Sequence, residues 1–491
     1  MFSRKYPFLL LLLPVIAGII AREHLPSLTP ATCYIIATCA LVGIATRAIA
    51  RPLLPLLACA LLFAVSLARS HQPAIAITPG EIYHVNGTCA DVIRGNNYII
   101  RSRGYNLYCR VDDTLLKPVV GDRLAFRARL FPVGRSADAS GHDPDRYLRQ
   151  LDVHSRAIPL PGIQRVGSAR GIYPACQKAR ALLARELEQA VKDTTTRALL
   201  QALCLGDRSL VSPRVQALFR ESGTMHLLAV SGLHVGVIHV MFHFLLGLAR
   251  LRARARLACI LPLLWLFAGI TGLSPPTVRA ATILSFIIAG KLADRDYNPL
   301  NALFASAFVT LLVSPPLLYS ASFQMSHAAY AGIILLLPAL RVKRENTIRS
   351  RVRALLALGV AAQVGTLPLV AYYFHSVNLN SALANIVAVP LATGLLYAGV
   401  AILLLPTALA TALAFIPVLA RRALFLALEQ CNRVALPWRD LYPTIWHVLL
   451  VYLLALLAII YLKRRDPLTG KAILVALFLL LLYHATRLHV P

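Results

Sequence analysis

Residues 224–240, Thr-Met-His-Leu-Leu-Ala-Val-Ser-Gly-Leu-His-Val-Gly-Val-Ile-His-Val, set the hardest constraint on how this chain can fold. The stretch opens a long apolar run, yet it carries His226, Ser231, His234 and His239. Polar groups in hydrocarbon are costly, and they face a bundle interior or a water-filled cavity. Gly223, Gly232 and Gly236 give small surfaces where another backbone or a ligand can come close. The stretch therefore reads as the wall of a passage through a membrane. Composition agrees: 58% of the 491 residues are hydrophobic and 14% charged, where soluble chains have about half and about a quarter. That balance excludes an ordinary soluble domain.

The formal charge is +29, from 50 basic and 21 acidic residues. Part of the excess is topological, because cytoplasmic loops collect Lys and Arg. The remainder suits a polyanion or acidic lipid headgroups. Most of the nine cysteines lie in apolar runs as small packing residues. No CxxC pair and no HExxH occurs, so neither a metal centre nor any other cofactor is expected.

Read in order, the chain predicts a polytopic α-helical membrane protein. An extracytoplasmic all-β OB-like domain is inserted after its first three membrane helices. The segments are residues 1–69 (membrane helices), 70–165 (the OB-like domain), 166–223 (amphipathic connecting helices) and 224–491 (the main membrane domain). Apolar runs at 6–21, 32–45 and 53–68 form the first group. Arg4 and Lys5, then Arg47 and Arg51, mark alternate loops. The positive-inside rule puts the N-terminus in the cytoplasm and residue 70 outside.

Residues 71–165 change character. Short β-rich runs at 82–92, 97–102, 107–111, 123–131 and 153–158 alternate with turn signals. Five short strands suit a small OB-type barrel, a fold that binds single strands or sugars. Cys89 and Cys109 fall here; outside the membrane they could pair across strands, or sit as two unpaired core cysteines. Arg101, Arg103, Arg110, Arg123, Arg127 and Arg129 interleave with Tyr98, Tyr105 and Tyr108. Arg101, Arg103, Tyr105 and Arg127 are the candidate contacts to a single strand, through phosphate pairing and base stacking. Solvated strand faces around ordinary core tyrosines are the competing explanation.

Residues 174–192 carry an amphipathic helical pattern suited to the membrane surface or the barrel. Ser212 and Pro213 predict a capped helix over 213–222. Beyond 224, apolar spans are expected at 226–249, 257–273, 276–290, 299–315, 319–340, 353–374, 382–405, 408–420 (short, re-entrant), 445–462 and 470–487. Residues 421–442 are expected as an external amphipathic segment. Arginine clusters at 250–256, 341–353 and 463–465 then all fall inside. Gly272-Leu-Ser-Pro-Pro-Thr277 breaks a run beside Arg279, and irregular backbone at membrane depth is tolerated where it lines a cavity. Ser322, Gln324, Ser326, His327, Gln363, His375 and Asn385 add polar groups among the spans. Helix–helix hydrogen bonding explains many such groups. His226, Ser231, His234, Arg279, Gln324, His327 and Asn385 are the candidate path-lining residues; path lining is the expectation for His234 and Arg279, and for the others it stands level with helix–helix hydrogen bonding. Ser231 and His234, three apart, would share a helix face, which raises an intramembrane serine hydrolase as a rival. A small-anion or envelope-precursor transporter is a second rival, and a scaffold a third.

His226-Leu-Leu-Ala-Val-Ser-Gly-Leu-His234 resembles the signature of the ComEC family of inner-membrane channels for DNA uptake in competent bacteria. Ser274-Pro-Pro-Thr-Val-Arg-Ala280, Asn298-Pro-Leu-Asn-Ala302, Ser322-Phe-Gln-Met-Ser326 and Leu383-Ala-Asn-Ile-Val-Ala-Val-Pro-Leu391 resemble further family elements in the same order. Asp143-Pro-Asp-Arg-Tyr-Leu148 resembles the end of the family's OB-like domain. The resemblance implies inward passage of single-stranded DNA across the cytoplasmic membrane, without sequence preference and without chemistry on the DNA. Longer members carry a metallo-β-lactamase-like domain, proposed to degrade the other strand. This sequence has no His-x-His-x-Asp-His cluster, so a separate nuclease is expected.

A phosphate charge cannot cross hydrocarbon, so such a path must be wet and must favour anions. Arg279 and the starts of broken helices could supply that, modulated by the histidines. A membrane potential negative inside opposes the inward step by ~2.3 kcal/mol per charge per 100 mV. No G-x-x-x-x-G-K-[ST] loop occurs. The expected partners are therefore the lipid bilayer, a cytoplasmic motor or strand-binding protein that pulls the DNA, and a periplasmic DNA receptor. Proton coupling through the histidines is the other source of work.

Overall fold

A computed structural model describes residues 6–24, 54–69, 77–94, 96–111, 118–133, 145, 148–149, 151, 153–295, 297–340, 347–378, 381–433, 437–438 and 441–464. The spans expected at 32–45 and 470–487, Arg4, Lys5, Arg47, Arg51 and most of the 143–148 motif lie outside these residues, as do parts of the last two arginine clusters. The chain divides into two compact units that interleave along the sequence. The first comprises Met1–Gln189, Cys204–Leu210 and Gly232–Ser320; the second comprises Ala190–Leu203, Val211–Ser231 and Ala321–Pro491.

In the first unit, helices α1 (Pro7–His24) and α2 (Leu54–Arg69) pack closely at Gly18. A Cβ there would meet the Phe63 carbonyl at 2.5 Å, and Ser66 Oγ donates to the Val15 carbonyl at 3.0 Å.

Six strands follow: β1 (Ile82–Arg94), β2 (Asn97–Ser102), β3 (Tyr105–Arg110), β4 (Asp122–Pro132), β5 (Val153–Pro159) and β6 (Gln164–Ser168). They pair in the order β1-β2-β3-β5-β4, with β3 parallel to β5. Pairing of β1 with β4 closes the ring. Closure works because β1 is long: residues 82–88 pair with β4 and residues 88–94 with β2. Strand alternation then sorts the side chains of β4. Leu124, Phe126, Ala128 and Leu130 fill the barrel, and Arg123, Arg127 and Arg129 face out. The five expected strands all form; β6 is an addition, an exposed strand laid on β4.

Cys89 and Cys109 are free thiols in one barrel core, so the unpaired alternative is the one this fold realises. Cys89 lies on β1 opposite Ile100, and Cys109 on β3 opposite Tyr98, with β2 between them. Two strand spacings are about 9.5 Å, beyond the ~7 Å a disulfide can bridge.

The first unit continues with α3 (Ile172–Ala190), then α6 (Gly232–Leu248), α7 (Ala253–Ile270), α8 (Pro275–Leu292) and α9 (Pro299–Val313). The second unit holds most of α4 (Thr194–Leu205), α5 (Pro213–Glu221), α10 (Ala321–Leu336), α11 (Ile348–Phe374), α12 (Ser381–Leu404), α13 (Thr407–Leu413), α14 (Phe415–Arg433) and α15 (Ile445–Arg464). Two short strands, β7 (Val377–Asn378) and β8 (Pro437–Trp438), pair with each other. Ser212 caps α5 as expected, its Oγ accepting from the Val215 amide at 3.3 Å. Four helical runs among the described residues are long and apolar enough to cross a membrane: Ala253–Ile270, Val352–Phe374, Leu383–Leu404 and Thr407–Arg433, the last made of α13 and α14 together. This is a mostly helical membrane protein with a small β-barrel.

Two expected boundaries move. The run at 408–420 is not a separate short span: the break falls at Ala414, and α14 runs on through Arg421 to Arg433. The span expected at 226–249 is also interrupted. A 3-10 turn occupies Met225–Leu228, extended backbone follows, and α6 starts only at Gly232. Ser231 therefore precedes the helix that carries His234, so the two do not share one helical face.

Candidate functional site

The boundary between the two units falls inside the 224–240 stretch, between Ser231 and Gly232. Each unit builds its own polar cluster.

In the first unit the cluster forms where α7 stops. Thr271 Oγ1 donates back to the Phe267 carbonyl at 2.9 Å, Gly272 and Leu273 adopt φ of 86° and 51°, and Pro275 and Pro276 start α8. A non-glycine residue at positive φ is strained, and neighbours hold this one in place. From one side α3 grips the turn: Gln177 Nε2 donates to the Gly269 carbonyl at 2.6 Å, and Cys176 fills the space beside Gly269. From another, Gly206 backs directly onto the Thr271 carbonyl; a Cβ there would stand 2.7 Å from it. Arg180 Nη1 donates to Gln177 Oε1 at 3.3 Å, and its Nη2 lies 3.9 Å from Asp207.

One turn into α8, Arg279 is buried, with 9% exposure. Its Nη2 sits 3.1 Å from where a Cβ on Gly232 would be, at the first residue of α6. His234 is buried on the first turn of that helix. A helix N-terminus is itself electropositive, so it reinforces the guanidinium rather than neutralising it. The two together make a place that favours an anion.

In the second unit, residues 221–224 are seated on the start of α12. Gly223 has φ of 70°, and a Cβ there would come within 2.5 Å of Ser381 Cβ. Asn378 Nδ2 donates to the Glu221 carbonyl. Gln363 Nε2 donates to the Asn378 carbonyl at 3.2 Å and to Ser381 Oγ at 3.0 Å. Asn385 follows one turn after Ser381, its Oδ1 buried and without a hydrogen bond among the described residues. On α10, Gln324 Oε1 accepts from the Tyr373 hydroxyl at 3.0 Å, and His327 Nδ1 meets its own helix at the Phe323 carbonyl, 2.9 Å away. His226 is exposed on its 3-10 turn, and Ser231 is half-buried.

The predicted path residues thus fall into two groups: His234 with Arg279 in the first unit, and His226, Ser231, Gln324, His327 and Asn385 in the second. Tyr373, Asn378 and Ser381 complete the second group. A tyrosine closing an apolar run looks like an interfacial anchor in sequence, which hides its bond to Gln324.

The barrel divides its four candidates. Arg101, Arg103 and Tyr105 share the β2–β3 hairpin: Arg101 Nε donates to Asn106 Oδ1 at 3.1 Å, Arg103 forms the turn at φ 50°, and the Tyr105 ring meets His154 edge-on at 5.5 Å. Arg127 does not join them. It lies on β4 opposite His84, and β4 pairs with neither strand of the hairpin. Burial pushes the Cys89 and Cys109 thiols up to about 12. It also raises the Asp91 carboxyl, against the pull of the Val92 amide and of Arg180.

Residues 203–465 match the family described as Competence protein. The chain belongs to the ComEC competence-protein family. It is 33% identical over 198 residues to ComE operon protein 3 of Bacillus subtilis, covering 40% of this chain and 24% of that protein. Recombination protein 2 of Haemophilus influenzae is 27% identical over 253 residues, 48% of this chain and 32% of its own length. Competence protein ComA of Neisseria gonorrhoeae is 26% identical over 295 residues, 55% and 40% respectively. The chain therefore spans less than half the length of these relatives. No solved structure matches it. The match begins at the end of α4 and takes in both polar clusters apart from the α3 residues Cys176, Gln177 and Arg180; the barrel lies outside it.

Proposed function

We propose that this ComEC-family protein carries single-stranded DNA inward across the cytoplasmic membrane during natural transformation, acting as a channel rather than an enzyme. The observation that carries the reading is Arg279, a buried cation aimed at the N-terminus of α6. Bare hydrocarbon repels a phosphodiester, whereas this arrangement offers each passing phosphate a favourable step. The amides and hydroxyls of the second unit suit a chain that must slide, because neutral donors bind phosphate more weakly than ion pairs do.

In this reading the N-terminus is cytoplasmic. The barrel is an extracytoplasmic OB-like domain that receives the strand from a periplasmic DNA receptor. Work against the membrane potential comes from a cytoplasmic motor or strand-binding protein, and a separate nuclease removes the other strand.

The test is uptake of labelled DNA in cells carrying Arg279→Ala, with expression and membrane insertion verified. DNA that reaches the periplasm but not the cytoplasm supports the channel. Normal cytoplasmic uptake in that variant and in a full deletion would overturn it in favour of a small-anion transporter.

A further inference from the structure

Helix α3 has two faces. Cys176, Gln177 and Leu187 form a buried face, and the first two grip Gly269 at the end of α7. Because Ala253–Ile270 is long and apolar enough to cross a membrane, α3 is fixed at the level where that helix leaves the bilayer. Lys178, Leu182 and Arg185 follow one another at helical spacing on the opposite face, and all three are exposed.

A cavity of about 330 Å3 opens beside this outer face, between the end of β6 and the first turns of α3. Ser168, Arg170 and Lys178 bring its polar groups, and Ala169, Gly171, Pro174 and Ala175 complete the wall. Lys178 Nζ is already oriented, donating to Ser168 Oγ at 3.1 Å. Close in the chain to these lining residues are large aliphatic side chains with little cover: Ile172, next to Gly171, is 85% exposed, Val166, two residues before Ser168, 68%, and Leu182, one turn after Lys178, 60%. In water such side chains cost free energy. Beside two cations at the end of a membrane-crossing helix, they match the layer where headgroup phosphates meet acyl chains.

We propose that this cavity binds the phosphate of an anionic phospholipid, held by Arg170, Lys178 and Ser168, with the acyl chains lying over Ile172 and Leu182. The site anchors the barrel-to-membrane junction to the bilayer surface. It is independent of what passes through the membrane domain.

The experiment uses the full chain in nanodiscs of phosphatidylcholine doped with phosphatidylglycerol. Retained lipid is counted by native mass spectrometry. Wild type is expected to hold phosphatidylglycerol preferentially. Arg170→Gln/Lys178→Gln should weaken that preference roughly 25-fold, at about fivefold per basic residue, with an unchanged melting temperature because both side chains are exposed. A second readout needs no variant: phosphatidylglycerol carrying a photoactivatable acyl chain should cross-link to the wild-type peptide containing Ile172 and Leu182. Equal retention of both lipids by wild type, or cross-links confined to other helices, would overturn the proposal. Displacement of the retained lipid by a single-stranded oligonucleotide or by inorganic phosphate would also overturn it, in favour of a nucleic-acid or a small-anion site.

Discussion

The Arg279 guanidinium rests on Gly232: its Nη2 lies 3.1 Å from the position a Cβ on that glycine would take. The first residue of α6 thus has its side-chain space filled by a cation from α8. Gly232→Ala needs the guanidinium to give by only a few tenths of an ångström, so DNA uptake should stay near wild type. Gly232→Leu must push Arg279 aside, and uptake should fall by roughly tenfold, ~1.4 kcal/mol in an activation barrier. Arg279→Lys keeps the charge but loses the planar fork, and should fall between wild type and Arg279→Ala. Uptake of labelled DNA per unit of inserted protein measures all four variants. Equal uptake in Gly232→Leu and Gly232→Ala would show that the contact has no functional weight.

How much of this was legible in sequence depends on the range of the interaction that decides each element. Strand β4 announces itself because Arg and apolar residues alternate from Arg123 to Leu130, and a half-buried strand needs nothing more. Strand β6 does not, because Gln164–Ser168 buries no face and exists only through its pairing with β4. The break at Ala229-Val230-Ser231 hides in apolar composition, since Gly223 and Gly232 each owe their placement to a distant residue, Ser381 and Arg279. Residue type alone puts Arg127 in one candidate set with Arg101, Arg103 and Tyr105. Ring order separates them, as it separates Cys89 from Cys109.

Those two thiols should be chemically silent in the folded protein. Burial raises both to about 12, so almost no thiolate exists at neutral pH. Maleimide labelling at pH 8 should leave Cys89 and Cys109 unmodified in the folded protein and reach both after denaturation, as peptide mapping would show. A reductant such as dithiothreitol should leave the melting temperature unchanged. A drop in that temperature would mean a bridge forms after all.

Asp193 stands just before α4 and works as its cap. Its Oδ2 accepts from the Thr196 amide at 2.7 Å, and Arg421 Nε lies 3.3 Å away. Burial works to raise its pKa, but the Thr196 hydrogen bonds, Arg421 and Arg422 outweigh that and hold it below the ordinary carboxylate value of 3.8. A depressed pKa means the folded state prefers the ionised form. The contribution is therefore complete above the unfolded value and disappears as pH falls through the folded one. Asp193→Ala should cost about 0.5–2 kcal/mol at neutral pH, the usual cost of losing a cap. The gap between variant and wild type should narrow below pH 3.8. Thermal melts across pH would check this, and a gap that widens in acid would contradict the assignment.

Gly332 and Gly365 let α10 and α11 touch backbone to backbone. A Cβ on Gly365 would stand 2.2 Å from the Ala328 carbonyl, and one on Gly332 would stand 2.4 Å from the Ala361 carbonyl. A third helix closes the junction, because the Tyr452 hydroxyl of α15 donates to the Gly365 carbonyl at 2.7 Å. Backbone cannot yield as a side-chain tip can, so any substitution here must push two helices apart. Gly365→Ala should therefore destabilise the second unit by about 1–3 kcal/mol, the cost of overpacking, and Gly365→Val by more. Tyr452→Phe removes only the hydroxyl and should cost about 1 kcal/mol. Pairing it with Gly365→Ala should give less than the sum, because separating the helices already weakens that bond. Melting temperatures in detergent would measure the cycle. Strict additivity would mean the three helices do not meet at Gly365.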